Sequence, residues 1–196
     1  QQNYTTNNVL SYNSARDIMY GEIYNNNGQV SGIYTDFTIN NVPTNDPRPI
    51  VTAGGIDCEH IWPQSMYEGS GPMKHDMHHL RPCKSNVNSA RGNKPFNNVN
   101  DSQTTTWYWM EIQSSNIPST NIDEYSENHG SYFEPREDRK GDVARSMFYF
   151  FTMYSEVTED GFFEPQMETL YDWHQLDPAN ETESNRTWDI AQYQGN

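Results

Sequence analysis

The sequence predicts an α+β fold in a single domain that spans residues 1–196. Segments with apolar side chains at helical spacing lie toward both ends of the chain, and short apolar stretches bounded by Gly and Pro, typical of strands, lie between them. No repeat and no long biased linker divides the chain. Although only 33% of the residues are hydrophobic, the 13% aromatic content can build a core, because each aromatic side chain buries a large area.

The outer parts of the chain are predicted to be helical. Residues 9–24 carry apolar side chains at helical spacing until the stretch NNNG at 25–28 breaks the pattern. The clearest helix covers residues 142–154, where an apolar stripe follows the helical period and Asp142 is the expected N-cap. Two further helices are predicted over residues 165–173 and 183–193.

The middle of the chain is predicted to fold in the order strand, loop, strand, helix. Short strands bounded by Gly or Pro are expected at 56–62 and 78–83. A short helix is expected at 84–91, with Ser85 as its N-cap and Gly92 as its stop. Ahead of these elements, the sequence favours an extended stretch and then a loop over residues 30–39 and 40–49.

The net charge of −15 argues against a protein that simply coats nucleic acid, because a polyanion repels an acidic surface. The charge is uneven, however. Residues 61–100 hold five cations and two acids, a net charge of +3, which leaves −18 for the rest of the chain. A local basic region on an acidic body is what a phosphate-binding cleft needs, although scattered solvated charges would give the same count.

We expect an exported chain that does not enter a membrane. No apolar run approaches the ~20 residues that a membrane-spanning helix requires. The start shows no basic and then apolar signal peptide, so we expect that none existed or that it has been removed.

The segment DCEHIWPQS at 57–65 sets the carboxylate of Glu59 beside the imidazole of His60. A carboxylate can hold a hard cation such as Mg²⁺, and an imidazole with a pKa near ~6.5 can accept a proton from water. On a regular strand the two side chains would point to opposite faces, so the chain must leave strand geometry for both to serve one site, and Pro63 makes this credible. For the dipeptide alone, a surface pair without function is the simpler explanation.

A second polar segment, HDMHHLRPCKSNVNSARGNKPF at 75–96, strengthens the case for a site. It combines histidines, asparagines and four cations, and Asn88 would present a neutral amide oxygen from the start of the short helix. Strand, strand and helix would then place Glu59 and Asn88 on either side of a small metal site. This is the arrangement of a ββα-metal finger, which we expect at about residues 56–93, surrounded by the other helices.

Four segments in order, EHIWPQS, DMHHLRP, NVNSARGN and GDVARSMFYF, resemble the bacterial endonuclease I family. Its members are periplasmic and extracellular non-specific nucleases of the His-Me finger superfamily. The likeness extends from SARDIMYGEIY to the C-terminal segment, and four separated motifs are far more specific than one. The resemblance implies a secreted or periplasmic nuclease.

The resemblance also implies a role for each matching residue. His60 corresponds to the general base that activates water, and Glu59 and Asn88 correspond to the metal ligands. The expected cation is Mg²⁺, with Ca²⁺ and Mn²⁺ left open. His79 stands where relatives often have Asn and is expected to fix the catalytic loop by hydrogen bonding, and Asp57 is expected to support the site by orienting ligands or water.

The group that binds the phosphate is predicted less sharply, with Lys74, Arg91 and Arg145 as candidates. Arg91 lies three residues after Asn88, and Arg145 belongs to the GDVAR motif. For both arginines a salt bridge with one of the many acids is an equal alternative. The relatives' arginine between the two strands has no match here except Lys74, which supplies charge but not bidentate geometry.

The predicted function is metal-dependent, non-specific endonucleolytic hydrolysis of DNA, with RNA as a further substrate left open, to give 5′-phosphate ends. We expect a monomer that contacts nucleic acid through the phosphate backbone, because no recognition helix or basic arm is evident. Two alternatives remain: a ribonuclease on the same scaffold, and a catalytically inactive module that binds cations or polysaccharide.

The remaining conspicuous residues are expected to be structural. Cys58 and Cys83 flank the two predicted strands, and they could form a disulfide or remain buried thiols. Structural roles are also expected for His78, His129, His174, Trp107, Trp109, Trp173 and Trp188.

Overall fold

The computed structural model describes residues 8–156, 158 and 161–196, and it combines helices with small antiparallel sheets. The helices are α1 (Tyr12–Ile18), α2 (Arg48–Ala53), α3 (Ser85–Arg91), α4 (Lys140–Tyr154), α5 (Met167–Leu176) and α6 (Glu181–Gln194). The strands are β1 (Val30–Ser31), β2 (Thr38–Ile39), β3 (Ile56–His60), β4 (Leu80–Lys84), β5 (Thr106–Trp109), β6 (Ile112–Ser114), β7 (Ser126–Asn128) and β8 (Phe133–Glu134). Within these described ranges, no helix is both long and apolar enough to cross a membrane.

Strands β3 and β4 form an antiparallel hairpin that leads directly into helix α3. In its register Ile56 pairs with Lys84 at one end and His60 with Leu80 at the other. The predicted order of strand, strand and helix is therefore present. Helix α3 ends at Gly92, whose φ of 56° favours glycine, so this predicted stop is confirmed.

Two details of the predicted helix starts are wrong. Strand β4 continues to Lys84, which occupies the N-cap position of α3, so that Ser85 is the first helical residue instead of the cap. Helix α4 begins at Lys140 because a 3₁₀ turn at Glu137–Arg139 leads into it. Asp142 consequently lies in the first turn, where a carboxylate interacts favourably with the helix dipole.

Other elements differ from the predictions in length or kind. The first helix continues as a π-helix at Met19–Ile23, and α2 forms where the predicted loop ends. The extended stretch at 30–39 contains only the two short strands β1 and β2. Helix α6 starts before the predicted residue, because Asn180 and Glu183 form a capping box.

The hairpin β3–β4 lies between two hydrophobic clusters. On one face Cys83 packs in a largely aromatic cluster, and on the other Ile56 and Leu80 pack with Ala15 of α1 and Ile190 of α6. The aromatic cluster includes Trp62, Tyr67, Phe150, Phe163 and Trp173. Because both faces are covered, the hairpin is a firmly supported platform for side chains at its end.

Cys58 and Cys83 are free thiols. In the ladder Cys58 pairs with Pro82, and Cys83 pairs with Asp57. Neighbouring positions on a strand point to opposite faces, so the two thiols face different clusters and cannot form the disulfide considered above.

A four-stranded sheet, in the order β6-β5-β7-β8, was not predicted from the sequence. Its strands are two to four residues long, too short to show a clear alternation. The sheet joins the aromatic cluster through Tyr108 and Phe133. Trp107 and Trp173 are buried, as expected for structural residues, whereas Trp188 is 73% exposed.

Candidate active site

Strand β3 ends at His60, and Pro63 leads the chain into a 3₁₀ turn at Gln64–Met66. A cleft of about 260 Å³ opens at this end of the hairpin, against helix α3. Glu59, His60 and Asn88 all line it. The structure therefore brings together the three residues that the sequence predicted as the base and the metal ligands.

The ring of His60 has a defined tautomer. Its Nε2 lies 3.2 Å from the carbonyl oxygen of Lys74, and its Nδ1 lies 3.2 Å from Nε2 of Gln64. A carbonyl can only accept a hydrogen bond, so Nε2 carries the proton and donates it. Burial, and then His79, lower the pKa of His60 to about 3, so the ring is neutral and Nδ1 keeps its lone pair.

Glu59 is a buried carboxylate, with only 2% of its surface exposed. The hydroxyl of Tyr34 donates to its Oε1 at 2.7 Å, and Nη1 of Arg91 lies 3.3 Å from the same oxygen. Burial raises the pKa of Glu59 above its ordinary value, although Arg91 and Tyr34 act in the opposite direction. Since both contacts involve Oε1, Oε2 is the oxygen better placed to serve a cation.

Asn88 projects from α3, and its Nδ2 donates to the carbonyl of Cys58 at 3.4 Å. This hydrogen bond uses the amide nitrogen and leaves the amide oxygen available as a ligand. In the part of the chain that the structure describes, no group of three or more His, Cys, Asp or Glu side chains could hold a metal. One carboxylate and one amide oxygen beside an open cleft nevertheless fit Mg²⁺, which prefers oxygen ligands and keeps several waters.

His79 lies behind His60, with the two ring centroids 5.6 Å apart. It is fully buried, and its Nε2 donates to the carbonyl of Met73 at 2.7 Å. Met73 begins the 3₁₀ turn Met73–His75, which contains the Lys74 carbonyl that holds His60. His79 thus has contacts that suit the predicted positioning role. Asp57, by contrast, is partly exposed on β3 and does not line the cleft.

Asp76 anchors the loop that contains the Met73–His75 turn through hydrogen bonds to two helices. This carboxylate is 1% exposed and accepts hydrogen bonds from the hydroxyls of Tyr149 at 2.8 Å and Tyr154 at 2.6 Å, and from Nε2 of Gln194 at 3.0 Å. Burial alone would raise the pKa of Asp76, but His78, the neighbouring His79 and these hydrogen bonds lower it. Helices α4 and α6 therefore fix the loop that orients His60.

Arg91 is not placed to bind a phosphate. Its side chain is fully buried, pairs with Glu59, and donates to the carbonyls of His60 at 3.2 Å and Ile61 at 2.7 Å. Its guanidinium also lies over the ring of Phe96 at 4.5 Å. The salt-bridge alternative is the one the structure favours, because these contacts occupy the guanidinium and exclude it from the cleft.

The guanidinium of Arg145 is likewise occupied by partners outside the candidate active site. It binds the carboxylate of Glu183 on α6 through two nitrogens, with Nε to Oε1 at 2.8 Å, and donates to the carbonyl of Asp177 at 2.6 Å. It lines a different cleft, shared with Arg81 and Arg186. The salt-bridge alternative therefore describes this residue as well, and it lies outside the candidate active site.

Lys74, the third predicted phosphate contact, lies beside His60, and the structure adds neighbours that the sequence did not indicate. Its Nζ lies 5.1 Å from the centre of the Tyr12 ring, and that ring is 5.7 Å from the ring of His60. Arg16 lies over the same tyrosine at 4.3 Å. Tyr12 and Arg16 both lie on helix α1. In the sequence they belong to an amphipathic segment that carries no motif.

The whole chain, residues 1–196, matches the family model described as Endonuclease I. Two curated relatives are named "Extracellular ribonuclease". The protein from Bacillus subtilis (strain 168) is 31% identical over 151 residues, which are 68% of this chain and 46% of the relative. The protein from Bacillus amyloliquefaciens is 31% identical over 151 residues, 69% of this chain and 46% of the relative. The chain thus spans about half the length of these relatives.

This match to residues 1–196 identifies the family of the chain. The chain belongs to the endonuclease I family, as the four sequence motifs indicated.

Proposed function

We propose that this chain is a metal-dependent nuclease that hydrolyses the phosphodiester backbone of nucleic acid without base recognition and leaves 5′-phosphate ends. One observation carries the proposal: a neutral histidine, oriented by a backbone carbonyl, shares a cleft with one carboxylate and one amide. This cleft would be the metal site of a ββα-metal finger formed by β3, β4 and α3. The names of the relatives support secretion of the protein.

His60 would act as the general base. Its Nδ1 accepts a hydrogen bond from Nε2 of Gln64 in the free protein and would take the proton of the attacking water once that water replaces Gln64 there. The positive ring that forms would be stabilised by the Nε2 hydrogen bond to the Lys74 carbonyl. Burial lowers the pKa of His60 to about 3 and keeps the ring unprotonated in the free protein. A bound phosphate carries negative charge, which raises the pKa of the ring and makes it a stronger base once the substrate is in place.

Glu59 and Asn88 would hold the divalent cation. When bound, the cation neutralises charge on the phosphate and on the leaving 3′ oxygen. The protein's own contribution is to present two oxygen ligands on rigid elements. Tyr34 and Arg91 fix the Glu59 carboxylate, and the hydrogen bond to the Cys58 carbonyl fixes the amide of Asn88.

Cleavage assays test this proposal. Purified protein is incubated with supercoiled plasmid and, separately, with single-stranded RNA, in the presence of Mg²⁺ and then of excess EDTA. We expect cleavage with Mg²⁺, none with EDTA, and a loss of at least about tenfold in Glu59→Gln, which keeps the shape but removes the ligand charge. Undiminished cleavage in EDTA would falsify the metal dependence.

A ribonuclease is the second candidate, favoured by the names of the two relatives. Both activities would use the same cleft, since neither needs base readout. Rapid cleavage of RNA with no nicking of plasmid under the same conditions identifies a ribonuclease, and comparable rates identify a sugar-non-specific enzyme. The third alternative, an inactive binding module, predicts binding without cleavage of either substrate.

A further inference from the structure

A group of three side chains lies beside His60 but outside the cleft, and we call Tyr12, Arg16 and Lys74 the cationic flank. The Tyr12 ring is at its centre, 4.3 Å from the guanidinium carbon of Arg16 and 5.1 Å from Nζ of Lys74. The same ring lies 5.7 Å from His60, so both cations are adjacent to the proposed base. Arg16 and Lys74 are partly exposed.

The donors of the cationic flank are not occupied by acids. Among the described residues, neither Arg16 nor Lys74 forms an ion pair with a carboxylate, although the chain holds 27 acidic residues against 12 Lys and Arg. Arg16 donates from Nη2 to Asn13 at 2.7 Å, a neutral partner that leaves its positive charge uncompensated. Unpaired cations in so acidic a protein leave donors ready for an anion that comes from outside.

The position of the flank relative to the cleft indicates which anion this would be. The cleft beside His60 is lined by Glu59 of β3 and Asn88 of α3, whereas the residues of the flank lie on α1 and in the 73–75 turn. None of Tyr12, Arg16 and Lys74 lines the cleft. A strand whose scissile phosphate occupies the cleft would therefore meet the flank at a neighbouring phosphate.

We infer that Arg16, together with Lys74, binds a backbone phosphate next to the scissile one, and that Tyr12 holds the two cations beside His60. The inference rests on the proposed nuclease function and names the group that grips the substrate strand. It also explains how a chain with a net charge of −15 can hold a polyanion at its active site, because a local cation pair overcomes the repulsion of the acidic body.

Arg16→Gln tests the inference, because glutamine keeps a long polar side chain and removes only the charge. Arg16→Lys restores the charge. Lys84→Ala is the matched control, since it removes one cation at the opposite end of the hairpin, where Lys84 pairs with the exposed Glu111. Each variant is compared with the wild type in cleavage of a labelled single-stranded oligonucleotide over a range of salt concentrations. Circular dichroism verifies that each variant is folded.

We expect Arg16→Gln to raise KM about fivefold near 0.1 M salt and to reduce the slope of log KM against log salt by about 0.7, the contribution of one phosphate contact to a single strand. The effect falls mainly on KM, and Arg16→Lys recovers the slope. The inference is overturned if Arg16→Gln leaves the slope unchanged, or if Lys84→Ala changes it equally.

A binding measurement separates this inference from the proposed function. Fluorescence anisotropy of the same oligonucleotide is recorded with His60→Ala and with the double variant that adds Arg16→Gln, so that no cleavage occurs. A smaller salt slope in the double variant supports the phosphate contact even if the wild type cleaves nothing, and identical slopes reject it even if the wild type is active.

Discussion

The cationic flank differs from a second group of cations, the arginine cluster of Arg81, Arg145 and Arg186, in what occupies its donors. In the cluster, Arg145 is neutralised by Glu183, and Arg186 donates to the carbonyls of Met77 at 2.7 Å and of His78 at 3.0 Å. Arg81 donates to the His78 carbonyl and to Ser146. The cluster thus binds parts of the protein itself.

In the flank, by contrast, the cations contact an aromatic ring and one asparagine. A cation that packs against an aromatic ring keeps its N–H groups available for hydrogen bonds, whereas a guanidinium that binds carboxylates and carbonyls has its N–H groups occupied. The difference shows that the partners of an arginine, more than its presence in a motif, decide whether it serves the substrate or the fold. Three variants can break or sharpen this comparison.

The largest effect is expected for His60→Ala. Loss of the general base should lower kcat by about 10²–10⁴-fold. Because the His60 ring is buried, urea unfolding is recorded alongside to separate a loss of stability from the loss of activity. The rate is measured under saturating Mg²⁺. His129→Ala is the matched control, because that histidine stacks on Tyr132 away from the cleft and should leave kcat unchanged. If His60→Ala retained the wild-type rate, the flank would not border the reaction, and the comparison would lose its basis.

The contrast between these two groups of cations also shows which parts of the fold and of the candidate site the sequence could predict. The order β3, β4, α3 and the meeting of Glu59, His60 and Asn88 were predictable, because one hairpin and the helix after it form the whole arrangement. The Gly92 stop was predictable for a local reason as well. The roles proposed for these residues stay predictions until the variants are measured.

The contacts of the arginine side chains were not predictable, because their partners come from distant parts of the chain. Arg91 finds Glu59, and Arg145 finds Glu183, only after the elements have packed. Arg16 approaches His60 for the same reason, although the sequence around it shows only a helical pattern. The sequence does not distinguish a disulfide from two free thiols for Cys58 and Cys83. The strand register places the two thiols on opposite faces of the hairpin.

A smaller effect, on stability alone, is expected for Arg145→Gln. Glutamine cannot form the bidentate contact that joins α4 to α6, so the free energy of unfolding should fall by about 1–3 kcal/mol. Urea unfolding measures this loss, with Lys84→Ala, which removes a single-nitrogen pair to the exposed Glu111, as the comparison. KM and its salt slope should not change. A reduced salt slope in Arg145→Gln would show instead that the cluster contacts the substrate.

The smallest effect, and one of opposite sign, is expected for Asp142→Asn, at a residue beside the arginine cluster. Burial, together with a hydrogen bond shared with Glu183, raises the pKa of Asp142 to about 6, despite the nearby Arg81. The pKa of an unfolded Asp is ~3.9. Between these two values the folded protein binds more protons than the unfolded chain, so this group's contribution to stability falls as the pH rises from about 4 through 6.

Asp142→Asn removes this titration while keeping an amide that can donate to Glu183 as the protonated acid does. We therefore expect the variant to be more stable than the wild type at pH 7, by roughly 1–2 kcal/mol, and similar to it at pH 4. Urea unfolding at pH 4, 5, 6 and 7 measures the difference, with the exposed Asp172→Asn as control. A variant that is less stable at pH 7, with an unchanged pH profile, would contradict the expectation. A gain at neutral pH would mean that the carboxylates beside the arginine cluster exceed what its arginines neutralise, so that the cluster has no place for a phosphate. Within the described structure, the cationic flank has no carboxylate partner and therefore does have a place for one.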